Sequence, residues 1–406
     1  MISFEQAQKL IADHGLMTQE EEIFVSAALG RVNSMDVKAP MELPVFDNSA
    51  MDGFVLRSED TLGVSTGDPT RLPICGVIKA GDREEITLNR GECYRIMTGS
   101  LIPFGADAVL AQEQALLEED CLVIQEPLPR GKNIRWKGEE IERGSLILPK
   151  GSVINPGTVG FLAAMGINRI KVYQPPRISL IATGSELIAP GDSLVPGKIF
   201  DANNPMIVAA LEEMRIRPIL VRRLGDRLNL MKKVIDYALK EGDFIILMGG
   251  VSVGDFDHVR RVLSDSGVET IFWKVSQKPG KPLYFGKKDG RLVFGLPGNP
   301  ASVFTCFYEY VYPAIRRSMG FPDPYLFSEW VELGQSVTPD TEKTLFIKAR
   351  LEQNGKRSVM PLKNQKSHML SSFCEANSFL VVPESGTTLE KGEKVQVHSL
   401  PYARVV

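Results

Sequence analysis

Between Asp243 and Ser302 three apolar runs rich in Ile, Val, Leu and Phe each end in a glycine turn carrying charged or hydroxyl residues: DFIILMGGVSVGDFDHVRR, WKVSQKPGKPLYFG and RLVFGLPGNPAS. Upstream, ISLIATGSEL, NNPMIVAALEEM, IRPILVRRLGD and RLNLMKKVIDYALKEG alternate strand with helix. That alternation predicts a doubly wound parallel sheet, in which ligands bind beyond the carboxyl ends of the strands, where the chain turns into a helix. A site therefore belongs at these turns.

Each turn offers a different chemistry. In the first, Phe244 to Leu247 reads as a buried strand, and Gly249, Gly250 and Gly254, around Ser252, let backbone N–H groups approach an anion. Asp255 and Asp257 follow where a helix begins, and Asp257 serves equally as an N-cap or as a ligand. In the second, Lys274, Lys278 and Lys281 flank Pro279-Gly280, a pair suited to a type II turn. Three ammonium groups so placed repel unless an anion or a carboxylate such as Asp257 lies among them; solvated lysines on a hairpin are the other reading. In the third, Asn299 reads as an N-cap and Pro300 as the first residue of a helix running to Arg317. The N–H groups of Ala301 and Ser302 are then expected to face the pocket, with Pro297, Gly298 and Pro300 shaping the turn. Glu186 and Asp226 follow glycine turns at the same edge, although Asp226 also suits a helix cap.

The chain of 406 residues is long for one domain. A net charge of −3 argues against a general nucleic-acid binder, so any anion site is local. No apolar stretch is long enough to span a bilayer, and the first residues show no signal-peptide core. Five scattered cysteines without a CxxC pair fit a reducing cytoplasm, and four histidines without ligand spacing argue against zinc.

Elsewhere, Ser3 and Gln6 form a capping box for a helix to Asp13 with Phe4, Ala7, Leu10 and Ile11 on one face. DNSAMDG reads as a loop with two Asx-turns, and the short strands from Phe54 to Pro127 indicate a small β-rich domain. Thr98 and Ser100 present hydroxyls beside Gly99, and Arg135 a fork for phosphate or carboxylate, followed by Glu139 and Glu140. Gln174-Pro175-Pro176 is a linker. In the tail, strands alternate across Asn354-Gly355, a hairpin signal that indicates a β-barrel of about 80 residues.

MGGVSVGDFDHV, QKPGKPLYFG and GLPGNPAS in succession, with DNSAMDG, MTGSLIP, NIRWKGEEI and KSHMLSSF in order around them, resemble the molybdopterin molybdenumtransferase family, the MoeA proteins, and the related E domain of gephyrin. The resemblance implies four domains: an elongated connecting domain of residues 1–45 and 137–173, a β-rich inserted domain 46–136, an α/β molybdopterin-binding core 174–325 and a C-terminal β-barrel 326–406. It implies insertion of molybdate into adenylylated molybdopterin with release of AMP, in a homodimer whose active site lies at the subunit interface. Asp52, Thr98, Arg135, Glu140, Glu186, Asp226, Asp257, Lys274, Lys278 and Ser367 match the family's catalytic positions, and Glu186, Asp226 and Asp257 are the expected Mg²⁺ ligands. Gly249, Gly250, Ser252, Gly254, Gly280, Lys281, Pro297, Gly298, Asn299, Pro300 and Ser302 form the expected substrate cradle. The family usually has Asp where this chain has Glu140, and often Asp where it has Ser185. A tungstate-specific paralogue, an adenylyltransferase-like enzyme and a dimeric scaffold are the alternatives.

Overall fold

The computed structural model describes residues 1–82, 85–250, 258–384 and 386–402. Its central sheet contains β1 (Ile178–Thr183), β2 (Leu220–Leu224), β3 (Phe244–Met248), β4 (Glu269–Trp273), β5 (Tyr284–Lys288) and β6 (Arg291–Leu296), in the order β2-β1-β3-β6-β5-β4. Every residue of β1 and β3 is buried, because helices cover both faces; this is why β3 reads as an unbroken apolar run and β1 as one interrupted only by Ser179 and Thr183. Each such aliphatic or aromatic side chain contributes about 1.5–3 kcal/mol by leaving water.

β1, β2, β3 and β6 are parallel, as the alternation predicts, but β5 is antiparallel to both its neighbours. The sheet is therefore mixed. The cause is local: Asp289 and Gly290 have φ of 48° and 77°, so the chain reverses in two residues and leaves no room for a crossover helix. That Asp-Gly pair was a hairpin signal in the sequence.

Glu20–Phe24 pairs with Arg169–Tyr173, and Val37–Lys38 with Leu146–Leu148, joining the N-terminal region to residues 146–173 across the intervening segment. That segment holds a six-stranded mixed sheet from Gly53 to Ile124, and the helical elements between its strands are, among the described residues, short 3₁₀ turns. The C-terminal strands β7 (Phe327–Leu333), β8 (Thr344–Asn354), β9 (Lys356–Pro361), β10 (Ser378–Val382) and β11 (Lys394–Ser399) follow the order β8-β9-β7-β11-β10 and close through β8–β10 pairing into a five-stranded barrel. Closure removes the free sheet edges.

The helix Phe4–Asp13 has the expected capping box and buries Phe4, Ala7 and Ile11. It packs on the core and barrel, with Phe4 edge-on to Tyr310 and Phe346. Gln8 fills a specific gap there. Pro313 has no N–H to offer the Glu309 carbonyl four residues back, the helix widens into a π segment over Phe307–Val311, and Gln8 Nε2 donates to that carbonyl at 3.1 Å. The Glu309 carboxylate is buried against His398 of β11, whose Nδ1 lies 3.0 Å from both its oxygens. Burial opposes a charged imidazole, yet the carboxylate outweighs it, and His398 titrates above its ordinary value.

Candidate active site at the carboxyl edge of the sheet

The turns that leave the four parallel strands stand side by side. Gly184 N–H bonds the Leu224 carbonyl at 2.9 Å and Gly249 N–H the Leu296 carbonyl at 3.1 Å, linking the exits of β1 with β2 and of β3 with β6. At Gly249, φ is 92° and a methyl group would stand 2.6 Å from the Thr183 carbonyl oxygen, so only glycine fits. Gly298 lies against the Gly249 Cα, and Gly225 against the Ser185 Cα. Glu186 folds its carboxylate back over Gly184, where a methyl group would meet its oxygens at 2.4 and 2.5 Å. β1 leads to β2 on one side and β3 lies on the other, so this edge includes the switch point where open α/β sheets bind ligands.

Asp226 is exposed here. It makes no cap: the N-cap of the helix Leu228–Glu241 is Arg227, without a side-chain bond, and Asp226 instead lines an open cleft of about 620 Å³ with Arg227, Asn229 and Lys233. The N-cap of the helix Asn203–Glu213 is Ala202, which has no polar side chain to offer, and Asp201 just before it accepts from the Asn204 N–H at 3.1 Å and from Asn204 Nδ2 at 2.6 Å. Asn203, the first residue of that helix, donates Nδ2 to the Gly298 carbonyl at 2.9 Å and so holds the third turn from the core side.

The barrel holds the same turn from the other side. Asn299 occupies the N-cap position of Pro300–Cys306 but makes no side-chain cap; its Nδ2 donates to Ser367 Oγ at 2.9 Å. The Ala301 N–H donates to the Ser367 carbonyl at 3.1 Å and the Ser302 N–H to the Asn299 carbonyl at 2.9 Å. The expectation that these two N–H groups face an open pocket is thus corrected: protein acceptors already hold both, and Ser302 is buried. Ser367, in contrast, reaches the core turn within one chain. Its segment is tied down by Lys348, a buried lysine whose Nζ donates to the Met369 carbonyl at 2.9 Å and whose pKa is lowered by burial. Pro297 is buried and Gly298 and Asn299 are exposed at the rim.

The lysine turn differs from expectation. Residues 279–280 form no hydrogen-bonded turn; Gln277 Nε2 donates to the Gly280 carbonyl at 3.2 Å instead. Gly280 is a packing position, with φ 91° and Cys306 Sγ 2.4 Å from where a methyl group would stand. The three ammonium groups do not gather around one anion. Lys274 stands over the Trp273 ring at 3.7 Å, a ring that Arg260 also approaches at 3.8 Å, Lys278 pairs with Asp340, and Lys281 is exposed. Separate neighbours relieve the mutual repulsion.

Asp52, Thr98, Arg135 and Glu140 form a second group at one end of the inserted sheet. DNSAMDG is not a pair of Asx-turns, because its acids reach across to later segments. Asp52 accepts from Thr98 N–H at 2.8 Å and Thr98 Oγ1 at 2.7 Å, and Asp47 from Lys137 N–H at 2.8 Å. The backbone and hydroxyl bonds from Thr98 lower the pKa of Asp52. Ile134–Arg135 pairs antiparallel with Asn48–Ser49, and Glu140 N–H bonds the Leu43 carbonyl at 3.0 Å; the Arg135 and Glu140 side chains are exposed. Ser100 turns inward, donating to the Ile78 carbonyl at 3.3 Å. Among the described residues no hydrogen bond or ion pair joins this group to the core turns.

Ser252, Gly254, Asp255 and Asp257 lie outside the described residues, as does the side chain of His258. Among the described residues no three metal-ligating side chains converge, and no helix is long and apolar enough to cross a membrane.

Comparison with known proteins agrees with this architecture. Residues 2–166 match the MoeA N-terminal region (domain I and II), residues 180–317 a probable molybdopterin binding domain, and residues 331–400 the MoeA C-terminal region (domain IV). Molybdopterin molybdenumtransferase 2 of Mycobacterium tuberculosis is 34% identical over 407 residues, covering 98% of this chain and 100% of the relative. The molybdopterin molybdenumtransferase of Staphylococcus epidermidis is 34% identical over 399 residues, covering 98% and 95%. The solved structure of the molybdopterin biosynthesis MoeA protein from Pyrococcus horikosii superposes with a TM-score of 0.86 at 30% identity, covering 98% of this chain and 99% of that one. Three family regions in order, full-length relatives and a full-length structural match lead to one conclusion: the chain belongs to the MoeA family of molybdopterin molybdenumtransferases.

Proposed function

We propose that this protein is a molybdopterin molybdenumtransferase, inserting molybdate into adenylylated molybdopterin as the adenylyl phosphoanhydride is cleaved and AMP leaves. The observation that carries the reading is the edge itself: Glu186, Asp226 and the Gly249 and Pro297–Asn299 turns stand together, with Lys274 over Trp273, Lys278 on Asp340 and an exposed Lys281 on the neighbouring turn. The substrate brings pterin N–H donors, two phosphates and a dithiolene to meet a second anion, molybdate. Carboxylates accept from the pterin donors; cations offset anion repulsion of several kcal/mol at an effective dielectric of about 20.

Within that frame Lys274 and Lys278 hold molybdate or phosphate, and the Gly249–Gly250 and Pro297–Asn299 turns carry phosphate and pterin. Glu186 and Asp226 supply hard oxygen ligands on adjacent turns, which suits Mg²⁺. With Asp257, they would hold it against the substrate phosphates, where it supplies charge neutralisation. Asp52, Thr98, Arg135 and Glu140 are proposed to meet the core edge of a second subunit in a homodimer. The exposure of Thr98, Arg135 and Glu140 and the absence, among the described residues, of a bond from this group to its own core turns support this placement. Residues 1–45 and 137–173 are read as one connecting unit, supported by their two ladders. The cytoplasm is the proposed location, on the cysteine usage of the sequence. Relatives matched over nearly their whole length carry the molybdenumtransferase name, which gives no support to a stand-alone adenylyltransferase or a scaffold.

The test is AMP release from adenylylated molybdopterin with Mg²⁺ and molybdate. Wild-type protein is expected to release AMP in a molybdate-dependent manner, and K274A/K278A to lose about 10²-fold in rate, the scale for removing a preorganised charge partner. Equal rates in the two proteins would overturn the lysine assignment, and no molybdate dependence would overturn the reaction.

A further inference from the structure

The barrel touches the site at a second place besides Ser367. Gln277–Lys278 runs parallel beside β8, with Gln277 opposite Thr344 and Lys278 opposite Leu345, and Thr344 N–H donates to the Ser276 carbonyl at 3.3 Å. This ladder brings the loop before β8 to the lysine turn, and there Asp340 Oδ2 accepts from Lys278 Nζ. Among the described residues Lys278 is the one lysine of the three with a carboxylate partner. The two side chains are 54% and 65% exposed, so solvent screens the pair and an incoming anion can reach it.

We propose that Asp340 is the resident counter-ion of Lys278 and biases the anion selectivity of the site: a dianionic oxyanion displaces the carboxylate more readily than a monoanion does. The inference rests on assigning Lys278 to the oxyanion. Its physical basis is competition between charges. The carboxylate is tethered by the ladder and carries one charge, whereas molybdate carries two and interacts about twice as strongly at the same distance. An exposed pair holds its partners by at most about five-fold in equilibrium terms, so Asp340 raises the molybdate concentration needed without preventing binding.

The experiment measures the KM for molybdate in AMP release, using the full-length protein, in wild type, D340N, D340E, K278A and K278A/D340N. Where turnover is too slow, equilibrium dialysis of molybdate reports the same ratios. D340N is expected to lower the KM about two- to five-fold at low salt, with the effect shrinking as ionic strength rises, and chloride is expected to inhibit D340N more than wild type. D340E should behave as wild type, and in the K278A background D340N should change nothing. A D340N value equal to or above wild type, or the same drop without Lys278, overturns the role of Asp340. If K278A alone leaves molybdate affinity unchanged, the assignment of Lys278 to the oxyanion fails, and the Asp340 proposal fails with it.

Discussion

The core edge and the Asp52 cluster are built in opposite ways. At the core edge, glycines press against backbone, and the third turn is clamped by Asn203 on one side and Ser367 on the other. In the Asp52 cluster, exposed loops are tied to one another by carboxylates that accept backbone N–H bonds, while Arg135 and Glu140 point outward. The turns of the first region bond and pack chiefly against one another, with the Glu186 and Asp226 carboxylates left exposed at their rim. The second has arranged its charges and left them available. Tight packing fixes where a turn lies, whereas an exposed, pre-ordered cluster serves a surface that arrives later.

The comparison can be broken at the support of the core region. His398→Ala would leave the Glu309 carboxylate buried without its countercharge and is expected to cost about 3–5 kcal/mol in urea unfolding, with no counterpart among the exposed pairs of the Asp52 cluster. The pH dependence has a definite sign. Because the His398 pKa is raised by folding, its contribution is complete below the unfolded value of about 6.5 and is lost as pH rises through the folded value. H398A should flatten that alkaline loss.

A smaller effect separates the two kinds of glycine turn. Gly249→Ala must strain a φ of 92° and drive a methyl group into the Thr183 carbonyl, an expected loss of about 2–4 kcal/mol. Gly99→Ala strains a φ of 79° with open space around it, and about 1 kcal/mol is expected from thermal unfolding. Equal losses would show that packing does not distinguish the regions.

Subunit mixing sharpens the comparison further. If the Asp52 cluster completes the site of a second subunit, D52N and K274A/K278A proteins, each strongly impaired alone, should together regain up to about a quarter of wild-type activity after refolding as mixed dimers. No recovery would place the two groups in separate functions. The smallest change is expected for T98V, which removes the hydroxyl bond to Asp52 but keeps the N–H bond. The Asp52 pKa should move partway up toward its ordinary value, read by carboxyl NMR titration, with stability nearly unchanged.

Much of this was legible in the chain itself. Apolar runs such as Phe244–Met248, the capping box at Ser3 and Gln6, and the hairpin at Asn354-Gly355 all depend on neighbours within a few residues, and they form as read. The antiparallel β5 depends on an equally local turn, Asp289-Gly290, but the flanking Lys287, Lys288 and Arg291 interrupt the apolar pattern that marks the two strands of a hairpin. The site was legible as a set of turns and not as a set of contacts. Asn299 has the residue type of a cap, but a serine 68 positions away competes for its amide and wins. Lys278 reads as an anion ligand, and an aspartate 62 positions away holds it.

By itself, the sequence determined the alternation of strand and helix, the places where only glycine can turn the chain, and the order of motifs that marks the family. Those features rest on side-chain period and on φ, which are properties of short segments. The tertiary structure alone decided which polar group meets which: Ser367 with Asn299, Asp340 with Lys278, Gln8 with the carbonyl that Pro313 leaves open. Such partners are chosen when barrel, core and N-terminal helix pack together, because a buried or crowded polar group takes whatever partner the packing brings within 3 Å, regardless of its distance along the chain.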